Sequence, residues 1–497
     1  MKASRKLIVI MTDTQRTDML GCYGNPDMHT PCLDRMASEG LRFEKAYTCQ
    51  PVCGPARSAL FTGLYPHSNG SWANSMALGD NVHTVGQRLQ DQGFHTAYIG
   101  KWHLDGGDYF GLGRCPHGWD PDYWFDMKNY LEELSEEDRR WSRTPEIMRK
   151  RPVCSDFTFA HRCADRAELF LTSHAEEDFL MVVSFDEPHD PYVCPEPYAS
   201  MYTDYRFPRN ANLHDPLTDK PEHQKAWAGD SLNADKDALE IRHPDFFGCN
   251  AYVDSQIGRV LEAARTYAPD ALIVYTSDHG DFLHSHSLSG KGPAAYEEIT
   301  HIPLIVKWPG VIEAGGVCPH PVSHIDLVPT LMESAGLPLP RLLEGDSLLP
   351  VLTDPQLRPH EAVFMEFGRY ETDHDGFGGF QPLRAAFDGR FKLVVNLLGT
   401  DELYDLAEDP GEMVNRIADP ITVTDRDRLH DALLDWMNRT RDPFRGYHWE
   451  RRPWRTDARA ATWRYTGMTR QRENEEYEPR QMDYATGMPM TEAVRKK

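Results

Sequence analysis

Two apolar runs far apart in the chain each end in an acid. Leu7-Ile8-Val9-Ile10-Met11 leads into Thr12-Asp13-Thr14, and Ala271-Leu272-Ile273-Val274-Tyr275 leads into Thr276-Ser277-Asp278-His279-Gly280. An unbroken apolar run of this length is the pattern of a strand buried on both faces of a parallel sheet, and in open α/β sheets ligands collect off the carboxyl ends of such strands. Asp13 and Asp278 are therefore expected to meet at one sheet edge. Their two carboxylates suit a hard divalent cation, calcium best, with magnesium and manganese as alternatives. Further chemistry lies between and after them: Cys53, with Arg57 four residues on; Lys101 and His103; His189; and Lys291. Arginine is always charged and can hold a nucleophile by several hydrogen bonds, lysine offers a point charge, and histidine titrates near neutrality and can act as acid or base. None of the ten cysteines begins a C-x5-R loop, which excludes a cysteine phosphatase.

The spacing of these residues resembles a known family. Cys53, Pro55 and Arg57 fit C-x-P-x-R, Thr62-Gly63 fits its usual extension, Gly100-Lys101-Trp102-His103 fits G-K-W-H, and Pro188-His189-Asp190-Pro191 fits Pro-His-x-Pro. Ser289-Gly290-Lys291-Gly292 and Tyr296-Glu297-Glu298 match further downstream. Together they resemble the type I sulfatases of the alkaline phosphatase superfamily, and the resemblance covers most of residues 6–440. It implies that Cys53 is oxidised to formylglycine by a formylglycine-generating enzyme. It also implies that Asp13, residue 14, residue 53, Asp278 and His279 hold a metal, that Lys101 and Lys291 bind sulfate, and that His103 and His189 move protons.

Chemistry explains the unusual nucleophile. A serine that attacked a sulfate ester would be left holding the sulfate. In a hydrated aldehyde one geminal hydroxyl takes the sulfate, and the other, once deprotonated, collapses to the carbonyl and expels it. One position departs from the pattern: Thr14 stands where the family commonly has a second aspartate, which lowers the ligand charge. Related phosphonate and phosphodiester hydrolases also lack that carboxylate, and such a hydrolase with the same nucleophile is the alternative reading. A zinc phosphodiesterase, prompted by His279, His284, His286 and His324, is set aside because those enzymes do not use C-x-P-x-R. A non-catalytic binding protein is set aside because the reactive set is intact. For the wall of the alcohol pocket, position alone suggests Asn74, Trp72, Trp227 and a loop from Glu366-Phe367-Gly368-Arg369-Tyr370 to His374-Asp375.

The elements that must position these groups alternate. Helices are expected from Thr30 to Gly40, from Thr84 to Gly93 and from Phe247 to Ala264, with strands at 95–99, 179–185 and 302–310, the doubly wound α/β pattern. The fold class is thus α/β, an alkaline-phosphatase-like large mixed sheet flanked by helices, with a smaller C-terminal antiparallel α+β subdomain. Residues 1–358 form the catalytic domain, 359–440 the subdomain and 441–497 an extended tail. Asp105 to Pro152 reads as a solvated helical insertion, and 195–243 as an irregular wall or lid.

Composition bounds the partners. The 497 residues carry a net charge of -24, which argues against nucleic acid, so an anionic substrate must be captured in a local basic pocket. No stretch approaches a membrane span, and no signal-peptide h-region precedes the first strand. A cytoplasmic protein with mostly reduced cysteines is expected. The tail interleaves Trp449, Trp454 and Trp463 with arginines, residue types that dominate interfaces, and is expected to wrap over the acidic body of its own or a neighbouring subunit in a homo-oligomer. Peptide mass analysis should find Cys53 as formylglycine when the chain is made with the converting enzyme, and Cys53→Ala should lose turnover while keeping its fold; an unmodified thiol in a fully active preparation contradicts this mechanism.

Overall fold

A computed structural model describes residues 5–458 apart from 75, 107–108, 145–146, 236–238 and 371–378. The first apolar run becomes β1 (Lys6–Thr12), at the middle of an eight-stranded sheet. The other strands are β2 (Leu41–Tyr47), β3 (His95–Gly100), β4 (Trp124–Phe125), β5 (Phe179–Ser184), β6 (Leu272–Ser277), β7 (His301–Lys307) and β8 (Gly316–Ser323). Their spatial order is β4-β3-β5-β1-β6-β7-β2-β8. From β4 to β6 all neighbours are parallel, whereas β7 runs antiparallel to both β6 and β2.

The continuous apolar runs have a direct cause. Ile8 and Ile10 face a core built with α1 (Pro31–Glu39), α3 (Phe159–Ser173) and α4 (Pro244–Tyr267). Leu7, Val9 and Met11 face a second core on the other side, with Phe61 of α2 (Cys53–Thr62) and Val328 and Leu331 of α5 (Leu327–Ser334). A strand covered on both faces has no polar side to show. Register then sets the level of the sheet's edge. Thr12 lies opposite Ser277, Met11 opposite Ser184, and Gly100 opposite Ser184, so β3, β5, β1 and β6 end side by side.

A second, antiparallel sheet, β12-β11-β10-β9, comprises β9 (Val363–Arg369), β10 (Phe380–Phe387), β11 (Phe391–Asn396) and β12 (Glu402–Asp405). It packs under α6 (Val423–Arg439) through Leu393, Val395, Leu429, Leu433 and Trp436. The large mixed sheet and the separate small one are the expected fold class. Trp449 is buried in this same cluster, and Arg452 and Trp454 both donate to Asp401, each with a contact of 2.7 Å. The remainder of the tail, including Trp463, lies outside the described residues. All ten cysteines are free thiols, and among the described residues no helix is long and apolar enough to cross a membrane.

Several elements differ from the expectations. The strand β8 carries Pro319 and Pro321, which hid it, yet it is an edge strand, where a missing N–H costs little. The Asp105–Pro152 insertion is not simply solvated, because Trp124 and Phe125 pair with Tyr98 and Ile99 and extend the main sheet. Glu366 to Arg369 belong to β9 rather than to a loop; Glu366 is buried against His67 and Phe367 is fully buried. The irregular 195–243 segment is tied down by Asp215, whose carboxylate accepts from Lys220 Nζ at 2.5 Å and lies 2.6 Å from His286 Nδ1.

Just beyond β5, Glu187 Oε1 accepts from the Ala160 backbone N–H at 2.9 Å, in the first turn of α3, and its Oε2 is buried with no hydrogen-bond partner among the described residues. Burial, reinforced by the charge of Asp186, pushes its pKa up to about 8. A raised folded pKa contributes stability that is fully present below the unfolded value of about 4.3 and is lost as pH rises through about 8. Glu187→Gln keeps the bond to Ala160 and removes the charge. Its thermal unfolding should match wild type near pH 4 and exceed it at pH 9 by on the order of a few kcal/mol; a difference that does not change with pH would refute the assignment.

Candidate active site

The level edge of β3, β5, β1 and β6 gathers the groups expected to react. Asp13 follows β1, Asp278 follows β6, Lys101 follows β3, and Asp186 follows β5. Gly100 has a φ of +122°, and a Cβ there would lie 1.9 Å from Ser184 O. Only glycine lets β3 pass so close to β5 and turn Lys101 into the site. Cys53 arrives differently, as the first residue of α2 rather than in a loop. All ten residues of that helix are buried, and its first-turn backbone N–H dipoles favour negative charge at position 53. Asn74 Oδ1 accepts from Gly54 N at 2.8 Å and steadies that helix start. At the other end Gly63, at φ +67°, closes the helix in the left-handed region, which accounts for the Thr-Gly extension.

Arg57 is fully buried and binds all four strand ends. Its Nη2 donates to Asp13 Oδ2 at 2.9 Å, its Nε to Asp278 Oδ2 at 3.1 Å, and its Nη1 to both Lys101 O and Ser184 Oγ at 2.7 Å. Lys101 Nζ adds a 2.8 Å contact to Asp13 Oδ2 and a 3.0 Å contact to Asp186 Oδ1. Asp13 and Asp278 thus spend Oδ2 on cations and turn Oδ1 toward His279, whose Nε2 lies 3.7 Å from Asp13 Oδ1 and 3.6 Å from Asp278 Oδ1. His279 Nδ1 is engaged by Gly280 O at 2.8 Å, leaving the Nε2 lone pair for the site. Asp13, Cys53, Asp278 and His279 offer ligand atoms within 4.8 Å of one another. This donor set fits a divalent cation, two carboxylate oxygens with a neutral imidazole and the atom at position 53. Thr14 reaches it through its neighbours, donating its hydroxyl to Asp13 Oδ1 at 2.6 Å and its backbone N–H to Asp278 Oδ1 at 3.1 Å.

The charges divide the two acids. Burial alone would raise Asp13, but Lys101, His189, Lys291 and Arg57 hold it well below the usual carboxylate range. Asp278 is pushed up to about 6 by burial and by the charge of Asp13 beside it. Cys53 Sγ lies 2.9 Å from Lys291 Nζ, 3.9 Å from Lys101 Nζ and 3.3 Å from His279 Nε2. Burial and Asp13 oppose its ionisation, yet Lys101, Lys291 and His279 outweigh both and hold the thiol well below its ordinary value. Burial depresses His103, which favours a neutral imidazole able to take a proton. His189 is raised to about 10: burial, Lys101 and Lys291 work against the proton, and Asp13 and the bond to Asp190 prevail. Its Nε2 lies 3.4 Å from Lys291 Nζ. The surroundings of position 53 therefore offer both a proton acceptor and a proton donor, together with two ammonium groups.

Of the positions suggested for a pocket wall, Trp72 packs on β9, where a Cβ at Gly368 would lie 3.1 Å from its ring. Trp227 meets Phe282 edge-on at 5.2 Å, and His374 and Asp375 lie outside the described residues. Two residues of the site, Asp186 and Tyr109, were not anticipated from the sequence. Asp186 carries the same signal as Asp13, an acid directly off a buried strand, and could have been found; Tyr109 lies in the insertion, with no pattern to mark it.

The chain is similar to known proteins over most of its length. The Sulfatase family profile matches residues 5–337, and the profile described as N-sulphoglucosamine sulphohydrolase, C-terminal, matches residues 292–439. An uncharacterised sulfatase, YidJ, of Escherichia coli is 46% identical over 489 residues, covering 97% of this chain and 96% of its own. An N-acetylglucosamine-6-O-sulfatase of Bacteroides thetaiotaomicron is 27% identical, covering 82% of each chain. Among solved structures, a phosphonate monoester hydrolase of Agrobacterium radiobacter superposes with a TM-score of 0.71 at 25% identity, over 88% of this chain and 96% of that one.

Thr14 has a φ of +62°, a region in which aspartate is better tolerated than a β-branched residue. Thr14→Asp should therefore tighten calcium binding, by on the order of tenfold, by adding an anionic donor to a hard-cation site. Calorimetric titration of the metal-free protein checks it, and an unchanged affinity would mean that residue 14 does not face the ion.

Proposed function

Since the chain belongs to the sulfatase family and is a sulfuric ester hydrolase, we propose that it cleaves a sulfate monoester of a small carbohydrate, with formylglycine made from Cys53 as nucleophile. The observation that carries the reading is the pair of ammonium groups, Lys101 and Lys291, that flank Cys53 at 3.9 and 2.9 Å. Two fixed cations in a buried site match the charge on the non-bridging oxygens of a sulfuryl group as its bonds change. A divalent ion, calcium first with magnesium or manganese as alternatives, would be held by Asp13, Asp278, His279 and residue 53, with Thr14 beside them; when bound it would polarise the sulfate and favour the ionised nucleophile.

The chain's own groups account for the remaining steps. Arg57 holds the two acids in place and keeps their Oδ1 atoms turned toward position 53. The oxygen of residue 53 attacks sulfur, and His189 delivers its Nε2 proton to the departing alcohol oxygen as the S–O bond breaks. His103, neutral and in hydrogen-bond contact with residue 53, takes the proton of the second hydroxyl, and the sulfate leaves as the carbonyl re-forms. The N-acetylglucosamine-6-O-sulfatase relative supports a sugar as the alcohol. A formylglycine-generating enzyme is the partner required beforehand.

A second reading, a phosphonate monoester or phosphodiester hydrolase with the same nucleophile, is favoured by Thr14 and by the phosphonate hydrolase among the structural neighbours. A screen of sulfated sugars, with sulfate, phosphonate and phosphodiester substrates of one matched aryl leaving group, decides between them. The sulfate monoester should have the highest kcat/KM on protein with verified formylglycine; a higher value for the phosphonate or diester would establish the second reading.

A further inference from the structure

Tyr109 touches more of the site than any pattern in the sequence announces. Its ring lies beneath Lys101 Nζ, 4.1 Å from the centroid, with the rings of His189 at 5.1 Å, Phe110 at 5.0 Å and His103 at 5.8 Å. Its hydroxyl is hydrogen-bonded to Asp186 Oδ1 and stands 3.1 Å from His189 Nδ1. Asp186 in turn holds Lys101 Nζ at 3.0 Å.

The direction of these bonds follows from what each group can do. An ionised carboxylate only accepts, so the phenolic proton lies on the Asp186 side and the tyrosine oxygen presents only lone pairs to His189. Nδ1 of His189 also faces Asp190 Oδ1 at 2.8 Å and Asp190 O at 3.0 Å. All three neighbours are acceptors, so Nδ1 carries a proton throughout. The exchangeable proton is left to Nε2, on the side where Lys291 and residue 53 stand. Asp190 cannot hold the ring alone, because its side chain is 68% exposed and water competes for it. Tyr109 is gripped at both ends, by Asp186 at its hydroxyl and by Lys101 and Phe110 at its ring.

We propose that Asp186 and Tyr109 form a relay that fixes the tautomer and direction of His189, making Tyr109 the positioning residue for protonation of the leaving group. The proposal rests on the reading of His189 as the acid given above. In the step it governs, the Nε2–H bond breaks and an O–H bond forms on the departing alcohol. That oxygen keeps the electron pair of the broken S–O bond, and His189 becomes neutral with Nδ1 still protonated. A relay of this kind matters only where the leaving group needs the proton. A sugar alkoxide needs it; a nitrophenolate, already stable, does not.

Tyr109→Phe deletes the hydroxyl and keeps the ring under Lys101. On the full-length, formylglycine-containing enzyme, kcat for a sugar sulfate should fall by about 10- to 100-fold, within the range general acid catalysis supplies. That for 4-nitrophenyl sulfate should fall by less than about threefold, with KM little changed for either. His189→Ala is measured beside it. In the His189→Ala background Tyr109→Phe should cost nothing more on the sugar sulfate, because the two residues act as one unit. Equal losses on both substrates from Tyr109→Phe, no loss on either, or additive losses in the double variant overturn the relay. If His189→Ala itself shows no dependence on the leaving group, the assignment of His189 as the acid has failed, and the relay falls with it for that separate reason.

Discussion

One guanidinium holds the reactive edge together. Asp13 and Asp278 are carboxylates brought side by side by the parallel register of β1 and β6, fully buried, with nothing in that register to relieve their repulsion. Arg57 lies between them and also reaches Lys101 O of the β3 end and Ser184 of β5. A planar group with five donors can do this and a lysine cannot. Because Arg57 lies one helical turn into α2, the same interaction sets where Cys53 stands. The C-x-P-x-R spacing is thus a structural requirement, placing Cys53 at the helix start and its anchor one turn below, in the gap between two acids.

The electrostatics of the site run against those of the chain. A protein of net charge -24 collects Arg57, Lys101, Lys291 and His189 around one atom. Burial makes each of these charges costly to hold, and the cluster persists because the charges are paired: Lys101 with Asp13 and Asp186, Arg57 with Asp13 and Asp278. Lys291 is the least committed of them. Its near neighbours are the sulfur of Cys53 at 2.9 Å and His189 Nε2 at 3.4 Å, which leaves it the ammonium most available to an incoming anion.

Much of this was legible in the sequence because strong local constraints wrote it there. A strand buried on both faces must be apolar throughout, so β1, β5 and β6 announced themselves together with the acids at their ends. Cys53, Arg57 and the two lysines lie within short motifs whose spacing the geometry enforces. What stayed hidden depends on tertiary context. The alternation in β2 is half-covered and polar at Arg42, Glu44 and Lys45. The prolines of β8 are tolerated only because that strand is at an edge. Tyr109 reaches the site because the insertion folds back along β3 through Trp124 and Phe125, a path no local pattern encodes. Glu366 was expected in a loop and instead lies in β9, buried against His67, a choice made by packing of the small sheet on the body.

The central claim is that the group at position 53 attacks sulfur and then clears itself. Replacing Cys53 by serine keeps a nucleophilic oxygen among Arg57, Lys101, Lys291 and the acids and removes the second hydroxyl that expels the sulfate. The most direct measurement is a single-turnover experiment with the Cys53→Ser protein and an aryl sulfate, followed by mass analysis of the residue-53 peptide. The expected result is one equivalent of phenol released, no further turnover, and a mass gain of one sulfuryl group on the serine introduced at position 53. Sustained turnover by the serine variant, or a sulfuryl group found on any residue other than 53, would contradict the account.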